Sequence, residues 1–126
     1  MQNNKTDFFF KALSEYIFNA DFVGEKMITF CDLIIKSNKL HNLTSIIQVD
    51  EMLKKHILDS FSINKLIKGE SVLDIGSGAG LPGIPLAIAN PKQEYLLLDS
   101  NNKKIIFLNH VKINLDVKNV DLLHSR

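Results

Sequence analysis

From residue 6 to about residue 68 the apolar positions of the chain recur at helical spacing. Thr6 stands where it can cap a first helix, with Phe9, Phe10, Leu13, Ile17 and Phe18 along one side. Asp21 can cap a second, whose apolar face runs Phe22, Met27, Phe30, Leu33 and Ile34. The segment His41-Asn42-Leu43-Thr44-Ser45 interrupts the rhythm with turn formers. A third helical stretch follows, with Val49, Met52, Leu53, Ile57, Phe61 and Leu66 as its buried stripe.

At Lys68-Gly69-Glu70 the pattern changes. Ser71 to Ile75 is a short strand-like run leading straight into a glycine loop, and a compact helix from about Pro82 to Ala89 stops at Asn90-Pro91. Tyr95 to Leu98 is a second buried strand ending at Asp99. Asn101 caps a helix through about Leu115, with Ile105, Ile106, Leu108 and Val111 inward, and Val120 to Leu123 is a third strand. This β-α-β-α-β order predicts an α/β fold built on half of a doubly wound parallel sheet. Residues 1–68 form a helical extension and residues 69–126 the sheet half. No Pro/Ser-rich linker divides them, so the helices are expected to pack as an extension of the sheet.

The loop is Asp74-Ile75-Gly76-Ser77-Gly78-Ala79-Gly80-Leu81-Pro82-Gly83. Glycines let the chain turn sharply and let a ligand approach backbone N–H groups. Gly76, Gly78 and Gly80 form G-x-G-x-G directly after the strand; Gly78, Gly80 and Gly83 form the dinucleotide pattern G-x-G-x-x-G, displaced from it. Three details bear on the choice between S-adenosylmethionine and NAD or FAD, and two of them favour the former. Asp74 puts a carboxylate where a pyrophosphate would be repelled and a ligand with an ammonium and a sulfonium would be welcome. Asp99 is placed to accept from ribose hydroxyls, which suits either ligand. Pro82 and Pro85 remove N–H groups from the first helical turn and weaken any phosphate cradle there. A glycine turn with no ligand is the remaining alternative.

Composition changes this picture little. With 45% hydrophobic residues in 126, the chain can bury one core. Lys plus Arg (15) balance Asp plus Glu (14), and the one arginine is Arg126, so charge gives no support to nucleic-acid binding. Cys31 is the only cysteine: it excludes an intramolecular disulfide and a Cys-based metal site, and its apolar setting makes it a buried hydrophobe. No metal site is expected. There is no secretory signal pattern and no apolar run of membrane-spanning length, so the cytoplasm is the default.

With these residues in view, the chain resembles the RsmG family, also called glucose-inhibited division protein B, bacterial 16S ribosomal RNA guanine-N7 methyltransferases. The most specific part is Val72 to Ile88, containing G-x-G-x-P-G-x-P-L-A-I. Supporting matches are Asn42-Leu43-Thr44, His56-Ile57-Leu58-Asp59-Ser60, Leu98-Asp99-Ser100 with Lys103-Lys104 and Phe107-Leu108, and Ser125-Arg126. His41 departs from the family's usual tyrosine.

The resemblance implies a class I, Rossmann-like methyltransferase. Gly76 and Leu81 would line the S-adenosylmethionine site, with Gly78, Gly80 and Asp99 around them. It also implies that residues flanking the adenine follow Arg126, so the chain is expected to be an N-terminal portion, inactive alone. The implied partner is 16S ribosomal RNA or the small ribosomal subunit. Arg126 is the substrate-side candidate, and no catalytic residue is assigned, because guanine N7 carries no proton to remove. His56 is expected to be structural, Asp59 and Ser60 to satisfy helix-end backbone groups, and Lys103 and Lys104 to form a solvated face. The strand at 71–75 should be central, leaving one edge open and self-association possible. The alternative is a free-standing nucleotide- or S-adenosylmethionine-binding module without catalysis.

Overall fold

The computed structural model describes residues 4–41 and 48–126; most of the expected break at 41–45 lies outside them. Helices α1 (Asn4–Leu13) and α2 (Ala20–His41) come first. The third helical stretch is broken: α3 (Val49–Met52) runs through a π-helical turn (Leu53–Ile57) into α4 (Leu58–Ser62) and a 3-10 turn (Asn64–Leu66). Then β1 (Ser71–Ile75), α5 (Gly83–Ala89), β2 (Glu94–Asp99), α6 (Asn102–Asn114) and β3 (Val120–His124) alternate as expected.

Both segments share one core. Phe9 and Leu13 of α1, Met27, Phe30 and Ile34 of α2, and Met52, Leu53, Ile57 and Phe61 join Ile84, Leu97, Leu108, Val111 and Val120 in a single buried cluster. A polar chain ties the segments as well. Asn90 Nδ2 donates to Asn64 Oδ1 (2.7 Å). Buried Asn119 donates through Nδ2 to the carbonyls of Ala87, Asn90 and Gln93 at 2.8–3.0 Å, fixing the α5–β2 connection against the start of β3.

Several expected positions differ. Thr6 lies inside α1, which begins at Asn4, and α2 begins at Ala20, leaving Asp21 in its first turn, where its charge suits the helix dipole. Phe18 is fully exposed because α1 stops at Leu13 and the chain leaves helical register before reaching it. Phe22 is exposed since the inward stripe of α2 is Val23, Met27, Phe30, Cys31 and Ile34; Lys26 Nζ sits 5.0 Å over its ring instead. Leu66 is exposed beyond the break after Ser62, and Ile106 points outward because Phe107, Leu108 and Val111 form the inner face of α6.

The sheet is parallel with order β1-β2-β3, pairing Val72 with Tyr95 and Tyr95 with Val120. Two successive crossovers of one hand, stepping the same way across a sheet, place both helices on one face. The consequence is visible in burial. Tyr95, Leu97 and Val120 are covered, whereas Leu73, Ile75 and Leu123 on the opposite face are 55%, 71% and 44% exposed. Among the described residues β1 pairs on one side only, and no Pro or Lys within it blunts the open edge.

An open edge beside a bare apolar face predicts self-association of the isolated chain. Sedimentation velocity at rising concentration should show dimers or larger species, and Leu73→Lys should shift them towards monomer. A stable wild-type monomer with freely exchanging β1 amides would contradict this.

Candidate cofactor cleft at the strand ends

At the end of β1 the pairing with β2 runs on into the loop: the N–H groups of Gly76 and Ser77 both donate to the Leu98 carbonyl, at 2.8 and 3.2 Å. Gly76 (φ +72) and Gly78 (φ +56) then turn the chain with backbone angles that other residues rarely adopt. This aims the Gly78 N–H at Asp99 Oδ2 (2.9 Å), while Asp99 Oδ1 accepts from the Asn101 N–H (2.8 Å). Asn101 in turn caps α6, accepting from Lys103 and Lys104. One carboxylate therefore joins the loop to the following helix.

Desolvation alone would raise the pKa of Asp99. The N–H groups of Asn101 and Gly78 and the charge of Lys104 outweigh it and hold the carboxyl below the ordinary carboxylate value. Asp99 lies in a cleft of about 710 Å³ with Gly76, Ile75, Leu98, Ser100, Lys104, Ser125 and Arg126. Lys104, expected to be merely solvated, is therefore on its wall.

The glycines divide into two kinds. A Cβ added at Gly76 would meet nothing within 4 Å, and at Gly78 only the Gly76 carbonyl at 4.0 Å. One at Gly80 would strike Leu108 Cδ2 (2.7 Å) and Ile84 Cγ1 (2.8 Å), and one at Gly83 would strike Asp74 Oδ2 (2.7 Å). Gly76 and Gly78 leave open space beside their backbone, a cradle that a ligand can fill; Gly80 and Gly83 serve internal packing. This partition follows G-x-G-x-G, since two of the three glycines in the displaced dinucleotide register are packing residues. The first turn of α5 offers little to a phosphate: Gly83 N–H donates to Asp74 Oδ2 (3.1 Å), Ile84 N–H to the Gly80 carbonyl (2.7 Å), Leu86 N–H to the Pro82 carbonyl (3.2 Å), and Pro85 has none.

A family model described as "GidB: rRNA small subunit methyltransferase G" matches residues 24–126. The chain belongs to the GidB family. It is 47% identical over 110 residues to a ribosomal RNA small subunit methyltransferase G of Legionella pneumophila, covering 87% of the chain and 53% of that protein. The same-named proteins of Hydrogenovibrio crunogenus and Francisella tularensis are 49% and 43% identical over 84% and 92% of the chain, and 49% and 57% of their own lengths. The chain spans about half the length of the curated relatives it matches. Its parallel α/β arrangement is that of the first half of a Rossmann-like methyltransferase sheet.

In this GidB chain the expected cofactor residues do not all meet in one place. Gly76, Asp99 and Arg126 share the cleft, and Gly78 reaches it through Asp99. Gly80 faces the core. Asp74 lies under the loop, holding Gly83; burial raises its pKa and nearby Asp99 adds to the rise, against the N–H of Gly83 and the hydroxyl of Ser77. Leu81 lines a second cavity of about 300 Å³ with Pro82, His56, Asp59, Ser60, Ser62 and Ile63. Cys31 is buried, and desolvation followed by the Asp32 charge pushes its thiol up to about 12, which makes it unreactive. No helix among the described residues is long and apolar enough to cross a membrane.

The Asp99 clamp sets a pH dependence. Its folded value is depressed, so its stabilisation is fully present above the ordinary value of 3.8 and is lost as pH falls through the lower folded value. Asp99→Asn should be less stable than wild type by about 1–3 kcal/mol at neutral pH, and the two should converge under strong acid. Parallel stability curves down to the lowest pH would contradict the clamp.

Proposed function

We propose that this chain forms the cofactor-binding half of an S-adenosylmethionine-dependent methyltransferase that modifies a guanine N7 of 16S ribosomal RNA in the small ribosomal subunit, in the cytoplasm. The observation that carries the proposal is the open Gly76–Gly78 cradle facing the Asp99 carboxylate in one cleft of a GidB-family chain. The names of the relatives supply the small-subunit RNA as substrate.

Bound S-adenosylmethionine supplies a methyl group activated by its sulfonium. The chain's own residues bind and orient. A carboxylate has about four lone-pair sites; Asp99 engages the N–H groups of Gly78 and Asn101 and retains capacity for a ribose hydroxyl. Gly76 and Gly78 admit close approach of the ligand, while Gly80 keeps the loop seated on Leu108 and Ile84. Asp74, beneath the loop, places a negative charge suited to a cationic ligand. Arg126, at the cleft mouth, is offered to the RNA side. Guanine N7 presents an in-plane lone pair, so positioning and electrostatics carry the rate and no general base is required. The hydrogen-bonded first turn of α5 is what disfavours a pyrophosphate ligand.

Calorimetry of the chain should show binding of S-adenosylhomocysteine and none of NAD. Asp99→Ala should weaken that binding by about 1.5–3 kcal/mol, roughly ten- to a hundredfold. A full-length relative should bind at least about tenfold more tightly, a gain of about 1.4 kcal/mol. Tighter binding of NAD, or unchanged affinity in Asp99→Ala, would sink the proposal.

A further inference from the structure

We infer that the second cavity, between the π-helical turn and the far end of the glycine loop, receives the amino-acid end of the cofactor, with Asp59 accepting hydrogen bonds from its ammonium group. The inference rests on the S-adenosylmethionine reading above. Gly76 and Leu81 bound one short loop yet face different cavities, the first shared with Asp99 and the second with His56, Asp59 and Ser62. A ligand whose adenosine end is held at Asp99, and which runs along that loop, delivers its other end to the second cavity. That end is a zwitterion and needs an anion for its ammonium.

Asp74 is poorly available for this. It does not line the second cavity, its Oδ2 accepts from Gly83, and it is half-buried under the loop. Asp59 is the carboxylate on the cavity wall, and its side chain has no hydrogen bond or ion pair among the described residues. The hydroxyls beside it are occupied: Ser60 donates to the His56 carbonyl (2.8 Å) and Ser62 to the Asp59 carbonyl (2.5 Å). The serines thus satisfy the helix backbone and leave the carboxylate free. The π-helical turn, in which the Leu58 N–H reaches the Leu53 carbonyl, keeps Leu53, Ile57 and Phe61 on the core side while His56 and Asp59 face the loop. A free carboxylate repels an RNA phosphate and attracts an ammonium, which favours the cofactor over the nucleic acid as occupant.

The test compares two ligands on the 126-residue chain by calorimetry. S-adenosylhomocysteine carries the amino-acid end; 5′-methylthioadenosine has the same adenosine and thioether without it. Asp59 is exposed, so Asp59→Asn should leave the fold intact and weaken S-adenosylhomocysteine by about three- to thirtyfold. Its affinity for 5′-methylthioadenosine should not change. Unchanged affinity for both ligands overturns the assignment while leaving the adenosine cleft standing, and equal weakening of both overturns it as a general structural effect. Failure of the wild-type chain to bind 5′-methylthioadenosine would instead remove the underlying cofactor reading, and this inference with it.

Discussion

The buried carboxylate of Asp99 is the point on which the site's geometry turns. It ends β2, accepts the Gly78 N–H from the loop after β1, and accepts the Asn101 N–H at the start of α6. The loop after β1, the end of β2 and the start of α6 are held by one charge. Its own cost of burial is offset by those N–H donors and Lys104, so the clamp and the depressed pKa of the group are the same fact. Because the loop is fixed by Asp99 and by Gly80 against Leu108 and Ile84, its two remaining glycines are presented to open space. The packing glycines thus leave the other two open.

Much of this was legible in the residues. The switch from helical to strand-like spacing at Lys68–Glu70 marks the start of β1 to within a residue, and Asn101 caps α6 as its position predicts. Asp99 was recognisable because it closes an apolar strand. Other features depend on contacts that a linear pattern does not carry. The stripe from Val49 to Leu66 is compatible with one continuous α-helix, and nothing in its spacing marks the π-helical turn at Leu53–Ile57. Which glycines pack and which stay open is decided by side chains from elsewhere in the fold, Leu108 and Ile84 at Gly80 and Asp74 and Leu97 at Gly83. The carbonyls that Asn119 gathers, and the engagement of Asp74 by Gly83, are likewise tertiary.

The uneven sheet fits the family assignment. α5 and α6 cover one face, while Leu73, Ile75 and Leu123 remain exposed on the other and β1 keeps an open edge. In doubly wound proteins both faces are covered. The matched relatives are about twice as long as the stretch they share with this chain, which is the scale of structure needed to cover a second face. The cleft sits at the carboxyl ends of the strands, where open α/β sheets bind their ligands.

The central claim is that the ligand lies between the Gly76–Gly78 cradle and Asp99. Amide chemical-shift mapping of the chain with S-adenosylhomocysteine tests it most directly. The account predicts the largest shifts at Gly76, Ser77, Gly78, Asp99 and Ser100, with α1 and the outer face of α6 unmoved. Shifts confined to residues remote from the strand ends, with the glycine loop silent, would contradict it.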